Sequence, residues 1–319
     1  MIARSPPLCL LALAILSPGA RSQLHFTDPY LYDPGPQSVE LGDANGDGHA
    51  DLFVSTVGFG NVRIYLGQGD GRFEGRYLAV NSAAQDFAVA DLDADGRDDL
   101  VTVDDVAGLR AWLAVGGGEY GTPLSVPISG IGRSVAAADL VGDGDLDLVV
   151  GLEDGHRASL ALGDGDGGFT PVADALVPDS HADIRTGDVN GDDLVDLVSS
   201  GAGQVAVELG LGSASYAAPV ILFTGTLHDL DLGDLDRDGA DDLAILSTAP
   251  CLVYGQVGGL PRSPLPQDFE LPASGGLRIA DVDGDGQPDL AIVGGAFVGV
   301  NLQREDGTFG TADDIVTIN

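Results

Sequence analysis

Residues 43–52 read DANGDGHADL. Asp43, Asn45, Asp47 and Asp51 set side-chain oxygens at the first, third, fifth and ninth positions of this stretch, and the carbonyl of His49 adds a main-chain oxygen at the seventh. A tight loop turns alternate side chains to one side, so these oxygens can converge on one point. Gly48, at the sixth position, supplies the left-handed backbone that such a reversal needs. Converging carboxylate and carbonyl oxygens, with no sulfur or imidazole nitrogen among them, are the donor set for calcium rather than zinc or copper.

The stretch has five relatives, beginning at residues 91, 139, 188, 234 and 281, at intervals of 48, 48, 49, 46 and 47 residues. The second offers Asp91, Asp93, Asp95 and Asp99 with the carbonyl of Arg97, and the fifth offers Asp234, Asp236, Asp238 and Asp242 with that of Ala240. The sixth offers Asp281, Asp283, Asp285 and Asp289 with that of Gln287. The fourth keeps Asp188, Asn190, Asp192 and Asp196 with the carbonyl of Leu194, but Asp193 replaces the glycine; aspartate tolerates the left-handed conformation better than most residues. The third has Val141 at its third position, which leaves Asp139, Asp143 and Asp147 with the carbonyl of Asp145. The twelfth position is Val54, Thr102, Val150, Ser199, Ile245 or Ile292, so the bidentate glutamate of an EF-hand is missing. Up to six calcium ions are expected, the loop at 139–147 holding its ion most weakly.

A fixed period in this range marks a repeat architecture. The residue before each loop is small: Gly42, Ala90, Ala138, Gly187, Gly233 or Ala280. Upstream of it apolar residues alternate, as at Val39 and Leu41 or Leu277 and Ile279, which predicts a short strand. The tenth position is always leucine (Leu52, Leu100, Leu148, Leu197, Leu243, Leu290) and opens a second strand. A third follows, as in residues 62–66, then a glycine-rich turn and an aromatic residue, as in LGQGDGRF (66–73), LGDGDGGF (162–169) and LGLGSASY (209–216), from which a fourth strand is expected to run. Four strands per repeat and no helix predict an all-β fold, a β-propeller of four-stranded blades. Six blades are favoured over seven, with segments 24–32 and 310–318 as candidate outer strands that meet at the closure of the ring. Small residues ahead of the loops are expected where innermost strands crowd near the axis.

These D-x-[DN]-x-D-G-x-x-D-L loops and the LGxGDGxF turns resemble the FG-GAP or VCBS-type repeats, which include the calcium-loop blades of integrin α-chain heads. The resemblance covers about residues 24–319. It implies the propeller fold and calcium loops within the blades, while such repeats serve adhesion proteins, lectins and enzyme-appended modules alike.

Composition narrows the rest. The 319-residue chain carries 50 acidic against 14 basic residues, a formal net charge of −36, so nucleic acid and anionic membranes are disfavoured partners. With 44% hydrophobic and only 20% charged residues a core is nonetheless available. Residues 1–22 have a secretory signal pattern: Arg4, a short apolar run from Leu8 to Leu16, and Ala20 and Ser22 at the −3 and −1 positions of cleavage. The mature domain is then 23–319, secreted, extracellular or periplasmic, monomeric, and without membrane insertion. Removal of Cys9 leaves Cys251 alone, so calcium stands in for the disulfides that an exported chain usually carries.

Other chemistry is thinly represented. His25, His49, His156, His181 and His228 share no repeat position, and no phosphate loop or HExxH occurs. Adjacent pairs such as Asp98-Asp99 and Asp241-Asp242 point to opposite sides of a strand and are not a glycosidase carboxylate pair. Trp112 reads as a packing residue. Glu40, Arg185, Asp231 and Arg278 share the position three residues ahead of a loop, from which they could line an axial channel. The expected function is a binding or adhesion scaffold for a protein or glycan, not an enzyme, with calcium mainly structural. A propeller-based polysaccharide lyase or hydrolase and a passive cell-surface structural protein are the alternatives. If ligand number sets affinity, Asp91→Ala lowers calcium stoichiometry more clearly than Asp139→Ala; equal losses by calorimetric titration would remove the ranking.

Overall fold

In a computed structural model, the described residues are 36–309 apart from 57–60, 70–72, 80–83, 105–107, 154–155, 178–182, 249–250, 254, 262–264, 267–275, 281–285, 295–296 and 305–308. The expected signal at 1–22 and the candidate strands at 24–32 and 310–318 lie outside them, as do His25, His181, Asp281, Asp283 and Asp285.

Among the described residues there is no helix, and strands gather into antiparallel sheets, one main sheet per repeat. In the first, Pro36–Gly42, Asp51–Thr56, Asn61–Gly67 and Phe73–Ala79 pair in chain order. Each later sheet begins in the same way, with inner strands at Asp86–Ala90, Gly132–Ala138, Asp183–Gly187, Leu227–Gly233 and Gly276–Ala280. The register is the same in every repeat: the residue before the loop pairs with the ninth, as in Gly42↔Asp51, Ala90↔Asp99, Ala138↔Asp147, Gly187↔Asp196, Gly233↔Asp242 and Ala280↔Asp289. Every candidate metal loop is therefore the turn between the first and second strands of its sheet.

Among the described residues most of the core lies between sheets, with one small cluster of Leu52, Val54, Tyr65 and Phe73 inside the first sheet. Side chains alternate across a strand, so Phe53 packs against Leu100 of the next sheet, Val101 against Leu148 and Val150, Val149 against Leu197, Val198 against Leu243 and Ile245, and Ala244 against Leu290 and Ile292. Trp112, expected as a packing residue, sits in the first of these interfaces, its indole N–H donating to Thr102 Oγ1 at 3.1 Å. The small residues ahead of the loops sit where adjacent inner strands crowd together, as expected. A Cβ on Gly42 would stand 2.5 Å from Val89 Cγ1, and one on Gly233 3.0 Å from Ile279 Cγ2, both in the following sheet.

Outer strands depart from the expected continuity. Tyr120 sits in a two-residue strand that forms a separate two-stranded sheet with Ala114–Gly116, and the fourth strand of the second repeat's main sheet is Leu124–Val126. Tyr216 makes only an isolated bridge to Gly210 before the strand Val220–Thr224. Pro123 and Pro219 lie in the two gaps, and a proline has no N–H to give a ladder. A proline likewise ends the strand Phe169–Pro171.

Candidate metal centres

The loop backbone is arranged by its own acids. Asp43 Oδ1 accepts the N–H groups of Gly46 (2.8 Å) and Asp47 (3.1 Å), and its Oδ2 accepts that of Gly48 (2.7 Å). Asp139 and Asp188 repeat all three bonds, and Asp91 and Asp234 repeat those to the fifth and sixth positions. Burial alone would raise the Asp139 carboxyl, but the amides of Gly144, Gly142 and Asp143 together hold it below the usual range. The fifth aspartate then accepts the N–H of the seventh residue at 2.9–3.1 Å in all five loops, which fixes the carbonyl there.

Two backbone reversals complete each turn. At the sixth position Gly48, Gly96, Gly144, Gly239 and Gly286 have φ of 80–93°, and Asp193 adopts the same left-handed region at 63°. The fourth position is left-handed as well, at Gly46, Gly142 and Gly191 but also at Ala94 (54°) and Arg237 (60°), a demand hidden in the sequence because two of the loops meet it without glycine.

The ninth aspartate is buried, whereas the fifth-position ligands Asp47, Asp95, Asp143, Asp192 and Asp238 are exposed. Asp51, Asp99, Asp147, Asp196, Asp242 and Asp289 are 0–1% accessible. In five of them Oδ2 accepts the N–H of the second loop residue, as from Ala44 at 2.8 Å and Leu92 at 2.9 Å. In all six Oδ1 accepts an N–H at the end of the third strand, from Gly67, Ala114, Gly163, Gly210, Gly255 or Gln303 at 2.6–2.8 Å. Burial pushes Asp51, Asp99 and Asp196 up to about 6 and Asp242 up to about 7, against these amides, which favour the charged form.

These residues fit a hard divalent cation. Asp91, Asp93 and Asp99 each bring a carboxylate oxygen within 4.8 Å of the others, as do Asp234, Asp236 and Asp242. The third position carries the sharper sign: Asp93 Oδ1 and Asn190 Oδ1 are buried and accept no hydrogen bond. A buried acceptor without a donor is costly, and a cation supplies what the backbone does not. The Oδ1 of each ninth aspartate accepts one amide and keeps a second lone pair for an ion, while Asp242 Oδ2 accepts two, from Leu235 and Asp236. Asn45 instead bonds within its loop, its Nδ2 donating to Asp47 Oδ2 at 3.0 Å.

The column expected to line a channel does come together. The Glu40 carboxyl is raised by burial, against the nearby Arg278 and Arg185 guanidinium groups, and Asp231 is raised by burial against the same two. The sequence reading missed Asp86, Asp183 and Asp229, two residues earlier on three inner strands. Arg185 lies among Asp229, Asp86, Asp183 and Asp231, and Arg278 Nη1 donates to Asp229 Oδ2 at 3.1 Å. Asp86 and Asp229 also accept main-chain N–H groups of the next sheet, from Val135 and Leu277. Their signal was a shared position in the repeat. His228 lies on an inner strand with Nε2 buried and unpartnered; His49 and His156 lie apart from it, in the first loop and beside the strand Arg157–Gly163.

Two outcomes follow from this geometry. In chelator, Asp196→Ala destabilises by at least about 2 kcal/mol because it strands buried amides, while Asp192→Ala, at an exposed ligand position, costs far less; denaturant unfolding measures both. Asp51, Asp99, Asp196 and Asp242 bind protons more tightly folded than unfolded, where 3.8 is the ordinary value. Their contribution is therefore full below the unfolded value and is lost as pH rises through about 6 to 7. Calcium-free protein thus melts higher at pH 5 than at pH 7.5, and calcium reverses the sign because protons compete with the ion.

Comparison with known proteins agrees with this architecture. A model described as an FG-GAP-like repeat matches residues 43–102, 91–150 and 142–199. No curated protein matches significantly. Among solved structures, an Agrocybe aegerita lectin described as recognising non-reducing terminal N-acetylglucosamine is similar at 16% identity over 88% of this chain and 79% of its own, with a TM-score of 0.64. The BBS1N domain, solved with ARL6DN, is similar at 12% identity over 87% and 83%, TM-score 0.59. The Dos1 propeller is similar at 11% identity over 79% and 64%, TM-score 0.50. Residues 43–199 thus carry FG-GAP-like repeats, consistent with an FG-GAP repeat protein, and the chain has a β-propeller fold.

Proposed function

We propose that this protein is a secreted, calcium-stabilised propeller that serves as a binding scaffold for a protein or glycan and performs no covalent chemistry. The observation that carries the calcium reading is the unpartnered third-position oxygen of Asp93 and of Asn190, inside loops whose other acids are supplied with amides. Calcium relieves the repulsion among carboxylates crowded into one turn and, binding the folded state only, stabilises it by linkage. The Arg4-led apolar N-terminus supports export, and the lone cysteine beyond it leaves calcium as the staple. The charged inner-strand column around Arg185 and Arg278 is the place on the ring where polar recognition has most to offer. Similarity to a glycan-binding lectin makes glycans the first ligands to test.

Chelation is expected to lower the melting temperature by at least about 5 °C, since one well-occupied site is worth about 2.7 kcal/mol at a hundredfold excess over Kd. An unchanged transition in excess EDTA sinks the calcium reading. Glycan-array and pull-down binding, with calcium and with chelator, tests the scaffold reading: a specific ligand retained only with calcium supports it, and no ligand in either condition leaves the passive structural alternative in its place.

A further inference from the structure

The loops are not equivalent in what they touch. The N–H of Asp43, the first residue of loop one, donates to Asp98 Oδ2 of the next sheet at 2.6 Å, and the N–H of Asp98 returns a bond to the carbonyl of Asp43 at 2.8 Å. The same reciprocal pair joins Asp188 to Asp241, at 3.0 and 2.7 Å. Asp98 and Asp241 are the eighth residues of loops two and five, between the seventh-position carbonyl and the ninth-position carboxylate. Asp43 and Asp188 are the acceptor hubs of loops one and four. Each bonded pair thus runs from the centre of one candidate metal loop to the ligand end of another.

The repeat contains its own control. A Cβ on Gly42 would stand 2.6 Å from Asp98 Oδ2, and one on Gly187 2.5 Å from Asp241 Oδ2, so the approach requires glycine just before the first loop of each pair. Loops two and three, and three and four, combine Ala90 with Leu146 and Ala138 with Val195; loops five and six combine Gly233 with Pro288. Glycine and aspartate occur together only at the two bonded junctions among these five. Further contacts brace both: Tyr120 Oη donates to the carbonyl of Asp98 at 2.9 Å, and Gly258 donates to the carbonyl of Asn190 at 2.6 Å.

We propose that calcium binding is coupled in two pairs of loops, one with two and four with five, through the reciprocal hydrogen bonds of Asp98 and Asp241. An ion that draws Asp43 into place also fixes the backbone of Asp98, and with it the neighbouring ligands Arg97 and Asp99; loop three has no such partner. Asp98 and Asp241 are positioning residues, and the inference rests on the calcium reading above.

Nuclear magnetic resonance on the full chain tests it, with calcium alone as the probe and the amides of Gly48, Gly96, Gly144 and Gly239 reporting their own loops. Emptying loop two with Asp95→Ala is expected to raise the calcium midpoint at Gly48 by about fivefold or more, with no change at Gly144. In Asp98→Ala the Gly48 midpoint no longer depends on residue 95, and Asp98→Asn, which keeps the acceptor, restores part of the dependence. A Gly48 midpoint that ignores Asp95→Ala in the otherwise native protein overturns the coupling alone. No calcium response at Gly48 or Gly96 in the unaltered chain overturns the calcium reading and the coupling together.

Discussion

Each repeat is organised around a carboxylate held out of water. The ninth loop aspartate faces a desolvation cost that would be prohibitive without partners, and the chain meets it with main-chain amides from two directions. One comes from the start of the loop and the other from the end of the third strand, so one side chain ties together three segments that share no ladder at that point. The third strand must come close for this. At Gly67 and Gly163 a Cβ would collide with the carbonyls of Ala50 and Leu146. The shared geometry of the five described loops, and the alignment of their exposed acids, follows from that buried bond.

Packing propagates the unit. Because successive residues of the second strand face opposite sheets, Leu100 looks back to Phe53 while Val101 looks on to Val150, and much of the apolar surface is buried by a neighbouring repeat. A single repeat cannot bury its apolar faces alone. Stitching at the inner strands adds directionality, since Asp86, Ser134 and Asp229 each accept an N–H from the sheet that follows. The same inner strands gather the charged groups around Arg185, so the element that joins the sheets also forms the most polar ground on the ring.

The distribution of acid explains how a chain of formal charge −36 builds a packed domain. Much of its carboxylate is in the loops, where amides and a divalent ion are natural partners, and some lies on the inner strands beside guanidinium groups. Adjacent aspartates divide the work. Asp99 turns inward to its own sheet while Asp98 reaches the preceding loop, as does Asp241 beside Asp242.

The loops, the paired strands on either side of them, the invariant leucines and the propeller fold were legible in the sequence because all are local: an eight-residue turn and a two-residue alternation are written in consecutive positions and repeated. Asp193 in the left-handed turn and Trp112 in the core were readable for the same reason. Outer strands were less so, because Pro123 and Pro219 remove donors from a ladder whose pattern is otherwise weak. Only the tertiary structure decided that the small residues before the loops answer to the next sheet, that Ala94 and Arg237 bear left-handed backbone, that Asp86, Asp183 and Asp229 join the inner charged column, and that Asp98 and Asp241 bond to a neighbouring loop. The left-handed backbone is local but met without glycine, whereas the other three depend on atoms of another repeat, brought within bonding distance by packing, and no spacing within a single repeat encodes that distance.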